Sequence, residues 1–209
     1  MSDLLYGAAF YTSIPVARVP ERFVSVLERS GIDPRSTDTY ESIGPSSDKE
    51  YEFAFPFHDS RITAIYTTKS NREPGEPAAR LSTITHSVDP KWSDNDAEYT
   101  SRMNDVLELL CRLAMALETD YVAFLNVREQ STDATPAGES IPETVSEPPA
   151  IGIYSPTVLD DFGGVEGATD TPWYTAELTD GRTVVITTEQ PWADAGWQPP
   201  TDAPYLDHA

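Results

Sequence analysis

Residues 94–127 read DNDAEYTSRMNDVLELLCRLAMALETDYVAFLNV, a long amphipathic segment that runs straight into an apolar one. Met103, Val106, Leu107, Leu110, Ala114 and Leu117 recur at 3.6-residue spacing, which predicts a helix from about Asp94 to Glu118 with one buried stripe. Leu109, Leu113 and Ala116 widen the stripe toward its C-terminal end, so the helix should cross the centre of a sheet. Ser93 is the expected N-cap, with Asp96 three residues on in a variant of the capping box. Asp94, Asp96 and Glu98 suit the positive end of the helix dipole. Tyr121–Val127 is almost unbroken in its apolar character, the pattern of a strand buried on both faces.

Toward the N-terminus, Leu4–Thr12 (LLYGAAFYT) reads as a first strand. Pro20 then suits the first turn of a helix, where its missing N–H costs nothing. That helix carries Phe23, Val24, Val26 and Leu27 and should stop at Gly31. Ile32–Lys49 is rich in Ser, Thr and Asp and reads as a loop. Three strands follow. Tyr51, Phe53, Phe55 and Phe57 alternate with Glu52, Ala54 and Pro56, and Pro56 points to an edge or a bulge. Ile62–Tyr66 comes after a short turn at His58–Ser60, and Arg80–Val88 after a Pro/Gly/Glu loop at residues 71–78.

Toward the C-terminus, Glu129–Ala150 has no aromatic residue, four prolines and five acids, so it reads as a mobile loop or insertion. Ile151–Tyr154 is a short strand. Tyr174–Leu178 and Thr183–Thr188 flank Asp180-Gly181, the strongest hairpin signal in the chain. The tail at 189–209, rich in Trp and Pro, should pack as irregular structure over the sheet. The order is β-α-β-β-β-α-β, then a short strand and a C-terminal hairpin. It predicts one α+β domain over residues 1–209, a two-layer sandwich whose mostly antiparallel sheet has its helices on one face.

Lys plus Arg number 14 against 35 Asp plus Glu, a formal net charge of -21. Only Lys49, Lys69 and Lys91 are lysine. Such a charge drives a compact chain apart in dilute buffer, whereas at molar salt the Debye length falls to roughly 3 Å and the repulsion fades. The composition resembles that of halophilic, haloarchaeal cytoplasmic proteins. The charge is also uneven: residues 129–209 hold 15 acids and a single base, Arg182. Nucleic acid is a poor partner for such a surface, because phosphate neutralisation needs clustered Lys and Arg. A basic protein is a better one. Met1-Ser2-Asp3 opens neither a signal peptide nor a membrane span, so a cytoplasmic location is expected.

No catalytic, cofactor or metal motif stands out. His58, His86 and His208 show no ligand spacing, and Cys111 sits within the amphipathic helix, where packing explains it. Asp94-Asn95-Asp96 opens like a calcium loop but lacks the later glycine and glutamate, and capping accounts for it. Asp160 and Asp161 with Glu166 read as a solvated acidic turn, and at Gly163-Gly164 no helix-forming segment is expected to start. Trp173, Trp192 and Trp197 fall within the most acidic third of the chain. Two readings compete: they anchor the tail, or with Asp194 and Asp202 they form an interface. A small-ligand or enzymatic pocket between the strand meander and the helices is the alternative site, with His86 and Tyr66 as its polar groups.

The succession of a first strand, an early helix, a meander and a long helix leads to a strand ending Asn126-Val127-Arg128. With the Gly-Gly-Val turn and the Thr-Thr-Glu-Gln-Pro-Trp segment at 187–192, it resembles the immunity protein 52 group of polymorphic and type VI toxin systems. The resemblance implies a small α+β protein that binds and neutralises a toxin and is not an enzyme. No site residue is carried over from it. The functional expectation is therefore a non-enzymatic cytoplasmic protein-binding module, of the kind of an immunity-type inhibitor of a basic toxin. The alternatives are the small-ligand protein or enzyme, and a halophilic housekeeping protein whose acidity is salt adaptation alone. If the charge is an adaptation to salt, circular dichroism should show the fold strengthening between about 0.1 M and about 3 M KCl. Equal stability in dilute buffer would remove the halophilic reading.

Overall fold

The computed structural model describes residues 6–32, 39–43, 49–58, 60–67, 77–82, 88–90, 95–126, 141–145, 147–188 and 192–207. The strands are β1 (Tyr6–Thr12), β2 (Thr39–Ile43), β3 (Lys49–Phe57), β4 (Ser60–Thr67), β5 (Ala79–Ser82), β6 (Thr119–Asn126), β7 (Ile151–Tyr154), β8 (Tyr174–Glu177) and β9 (Thr183–Ile186). They form one sheet in the order β2-β3-β4-β5-β1-β6-β7-β9-β8, with every neighbouring pair antiparallel. The first strand thus lies in the middle. Its small residues Ala8 and Ala9 and the ring of Phe10 are all buried, as a strand covered on both faces requires.

Two helices, α1 (Val19–Arg29) and α2 (Asp96–Ala116), lie together on one face of this sheet. The α+β class and the antiparallel sheet agree with the sequence reading. Phe23, Val26 and Leu27 of α1 and Met103, Val106, Leu107 and Leu110 of α2 meet Phe10, Phe55, Ile62, Val122 and Phe124 from the strands. Asn95 caps α2: its Oδ1 accepts from the Glu98 N–H at 3.0 Å. The capping residue is therefore Asn95 rather than Ser93, which lies outside the described residues; Asn is as strong an N-cap as Ser.

Three short helices were not foreseen, and they lie away from the α1–α2 layer. The helix α3 (Ile141–Thr144) falls inside the stretch read as a loop, while α4 (Pro156–Phe162) and α5 (Val165–Ala168) follow β7. Ile141, Val158, Leu159, Phe162 and Val165 pack with Tyr121, Tyr154 and Val185 on the opposite face of the sheet. The expected placement of helices on one face thus covers only α1 and α2. The signals for α4 were local: the Ser155 Oγ accepts from the Val158 N–H at 3.3 Å, Pro156 opens the helix and Gly163 ends it at φ 87°. A helical turn does start after Gly163-Gly164, correcting the opposite expectation. Gly152 is needed for a different reason. A Cβ there would stand 2.4 Å from the Tyr154 ring, which lies over the β7 backbone.

The strand β2 also corrects the sequence reading of 32–49 as loop. It pairs with β3 from Thr39↔Phe53 to Ile43↔Lys49. As an edge strand it is held by backbone pairing on one side, so its polar sequence carries little apolar alternation to betray it. The third strand of the meander is described over Ala79–Ser82, and residues 83–87 of the expected Arg80–Val88 lie outside the description. Among the described residues no helix is long and apolar enough to cross a membrane.

The two-residue link from α2 to β6 is tightly fixed. Glu118 takes φ 47°, a left-handed conformation uncommon outside glycine. The Thr12 hydroxyl donates to the Leu117 carbonyl at 2.6 Å, and Arg22 Nη1 donates to the Ala116 carbonyl at 2.9 Å. These bonds occupy carbonyls that a helix end leaves without partners. Replacing Thr12 by Val keeps the shape and deletes the buried hydroxyl. Thr12→Val should lower stability by about 1–3 kcal/mol, seen as an earlier urea midpoint at unchanged slope. An unmoved midpoint would show that this hydroxyl does not hold the helix end.

Candidate functional site

Two regions can carry function, and the tail builds the first of them. Trp192 and Trp197 are both fully buried, so of the two competing readings they anchor the tail and do not present an interface. Trp192 packs 6.4 Å from the rings of Tyr6 and Phe124, and Trp197 meets it edge-on at 5.9 Å. Trp197 also donates its Nε1–H to Asn104 Oδ1 of α2 at 2.9 Å. The physical reason is area. Each indole removes roughly 150–250 Å² from water, ample for tying an irregular tail to a sheet. Trp192 Nε1–H has no acceptor among the described residues, so its hold is apolar.

Trp173 behaves differently. It is partly exposed and rests edge-on against Trp197 at 5.7 Å. The Tyr174 hydroxyl, next in the chain, donates to the Pro200 carbonyl at 2.6 Å and draws the tail alongside β8. Asp194 and Asp202, the other sequence candidates, are exposed on that tail. Asp160, Asp161, Glu166, Asp170, Glu177 and Asp207 are exposed as well. Arg182, the single base of residues 129–209, does not offset them. It is engaged by Asp180 and donates from Nε to the Thr119 carbonyl at 2.8 Å.

The second region is a cleft of about 300 Å³ between the β3–β4 turn and the two long helices. Ser30 and Ile32 bound it after α1, Pro56, Phe57 and His58 from the turn, and Asp105, Glu108 and Leu109 from α2. A pocket between meander and helices is the alternative expectation, with His86 and Tyr66 as its polar groups. His86 lies outside the described residues, and Tyr66 sits on β4 in register with Tyr51 and Ala79. Among the described residues the histidine that lines the cleft is His58. Its Nε2 lies 2.8 Å from Asp105 Oδ2, and its backbone takes φ 52°. Asp105 and Glu108 stand one helical turn apart, and Glu108 Oε1 accepts from Arg112 Nε at 2.5 Å.

Sequence reasoning missed this group because His58 and Asp105 meet only in space. The available signal was a polar His in a tight turn together with acids on the wet side of an amphipathic helix. Among the described residues no hydrogen bond joins Ser30 to His58. Cys111 is buried in the core and burial pushes its thiol up, away from the reactive thiolate. Among the described residues no three His, Cys, Asp or Glu are grouped to hold a metal ion.

No protein-family model matches the chain, and no curated protein matches it. A solved structure, Pseudomonas aeruginosa T6SS protein PA0821, is similar over 88% of this chain and 68% of its own, at 11% identity and a TM-score of 0.40. A likeness that distant carries no argument about binding or activity.

The tyrosines that hold the tail and the far face are neutral in the fold. Burial pushes Tyr154 and Tyr174 up to about 12 from an ordinary value of 10.0, and pushes Tyr121 well above that ordinary value too. The contribution of such groups is fully present below the unfolded value and is lost as pH rises through the folded one. Between about pH 10 and pH 12 the tail should therefore loosen, with tryptophan emission shifting to the red. Emission that stays blue at pH 12 would mean that indole packing alone keeps the tail in place.

Proposed function

We propose that this protein is a protein-binding module that holds a basic protein partner on its acidic C-terminal surface, in the manner of an immunity-type inhibitor. The observation that carries the reading is the contrast around Trp173. A partly exposed indole stands just before the edge strand β8, within residues 129–209, whose 15 acids are opposed by the single base Arg182, and that base is already engaged. An indole face beside carboxylates suits Lys and Arg side chains, through the attraction of a cation to the ring and through charge complementarity. Aromatic residues of this kind supply much of the energy at protein interfaces. Trp192 and Trp197 act from beneath, because they fix the tail that carries Asp194 and Asp202.

The resemblance in element order to toxin-neutralising immunity proteins supports the same reading. In such a protein the acidic surface would steer encounter, and the indole and carboxylates would set the lifetime of the complex. The test is affinity capture from the native lysate at molar salt, comparing the unaltered protein with Trp173→Ala and with the double substitution Asp194→Asn and Asp202→Asn. Circular dichroism confirms that each variant is folded. The expected result is a stoichiometric basic protein that is held by the unaltered chain and weakened about tenfold or more by either variant. A partner retained equally by all three, or one that is acidic, would overturn the proposal.

A further inference from the structure

The cleft beside His58 is separate from the acidic tail surface, and its chemistry specifies a different ligand. Its floor is apolar: Phe57 and Leu109 are buried and Ile32 is partly buried. Its wall on α2 is anionic. Asp105 gives Oδ2 to His58 and Glu108 gives Oε1 to Arg112, so the second oxygen of each carboxylate has no partner among the described residues. The C-terminal end of α1 closes the other side at Ser30, and a helix C-terminus carries partial negative charge. His58, whose backbone takes the left-handed φ 52°, is joined from the turn to Asp105 of α2.

We infer that this cleft binds a small organic ammonium ion, whose charge lies against Asp105 and Glu108 and whose apolar body rests on Phe57, Leu109 and Ile32. An anion such as a phosphate or carboxylate would meet two carboxylates and a negative helix end. A fully hydrated metal ion would leave the apolar floor unused. The volume of about 300 Å³ matches the lower end of small-molecule sites and suits an amine with a short alkyl or aryl group. A charge held in a partly enclosed cleft is screened less by salt than one on the open surface. Binding should therefore persist at salt concentrations that suppress loose ion pairing with the acidic surface.

The test is titration of the full chain at molar KCl with phenethylamine, and with 2-phenylethanol and 3-phenylpropionate as neutral and anionic controls of similar shape. Calorimetry gives the affinities and amide NMR shifts give the location. The amine should bind saturably with shifts centred on His58, Asp105 and Leu109, and the controls about tenfold more weakly or not at all. Asp105→Asn should weaken the amine about tenfold. Glu108→Gln, which leaves the His58–Asp105 pair intact, should weaken it without altering the turn. The inference is overturned if the alcohol binds as well as the amine or if neither substitution changes the affinity. It is equally overturned if the shifts scatter over the tail or if no probe saturates.

Discussion

The hydroxyl of Thr12, donated to the carbonyls of Leu117 and Glu118, ties the last residue of the central strand to the end of the longest helix. Arg22 of α1 reaches the same place, donating to the Ala116 carbonyl and pairing with Glu118. Thr119 adds a further bond back to Ala114, and Arg182, just before β9, reaches its carbonyl. The central strand, α1 and the start of β9 thus converge on one helix end. Because β1 lies between β5 and β6, fixing that end fixes β6 against β1, with an irregularity at Tyr11/Thr12 that absorbs the change of direction. The same constraint sets where α2 lies across the sheet. That position brings Asp105 opposite His58 on one flank and Asn104 under Trp197 on the other.

Charge is distributed with the same economy. The few cations are used where the fold needs a donor: Arg22 and Arg182 at the α2–β6 link, and Arg112 on Glu108. Among the described residues the acids of the C-terminal third are exposed instead. Exposed ion pairs contribute only about 0–1 kcal/mol each, so these arginines matter more through their bonds to carbonyls than through pairing of charge. A chain with one base in its last 81 residues therefore keeps an unbalanced surface even where its structure is tightly bonded.

Among the tryptophans, the division of labour follows from size and position. The two that fall in the irregular tail are drawn under it, since a segment without its own hydrogen-bonded ladder depends on large apolar area to stay docked. Trp173 precedes β8, where backbone pairing already orders the chain, and its ring remains partly exposed. Composition alone could not separate these fates. Nor could it pair His58 with Asp105, because helix and strand periodicities describe neighbours along one element and not across two.

The sequence by itself determined the α+β class, the long helix, the buried strand after it and the Asp-Gly hairpin. Each of these rests on a period or a turn chemistry that operates over a few residues. It also determined the charge and its bias toward the C-terminus. Only the tertiary structure decided that β1 is central and that β2 extends the edge. It alone placed short helices on the second face, buried Trp192 and Trp197, and made His58 the histidine of the cleft. Those outcomes depend on which surfaces meet when distant segments pack, and that information is spread over the whole chain.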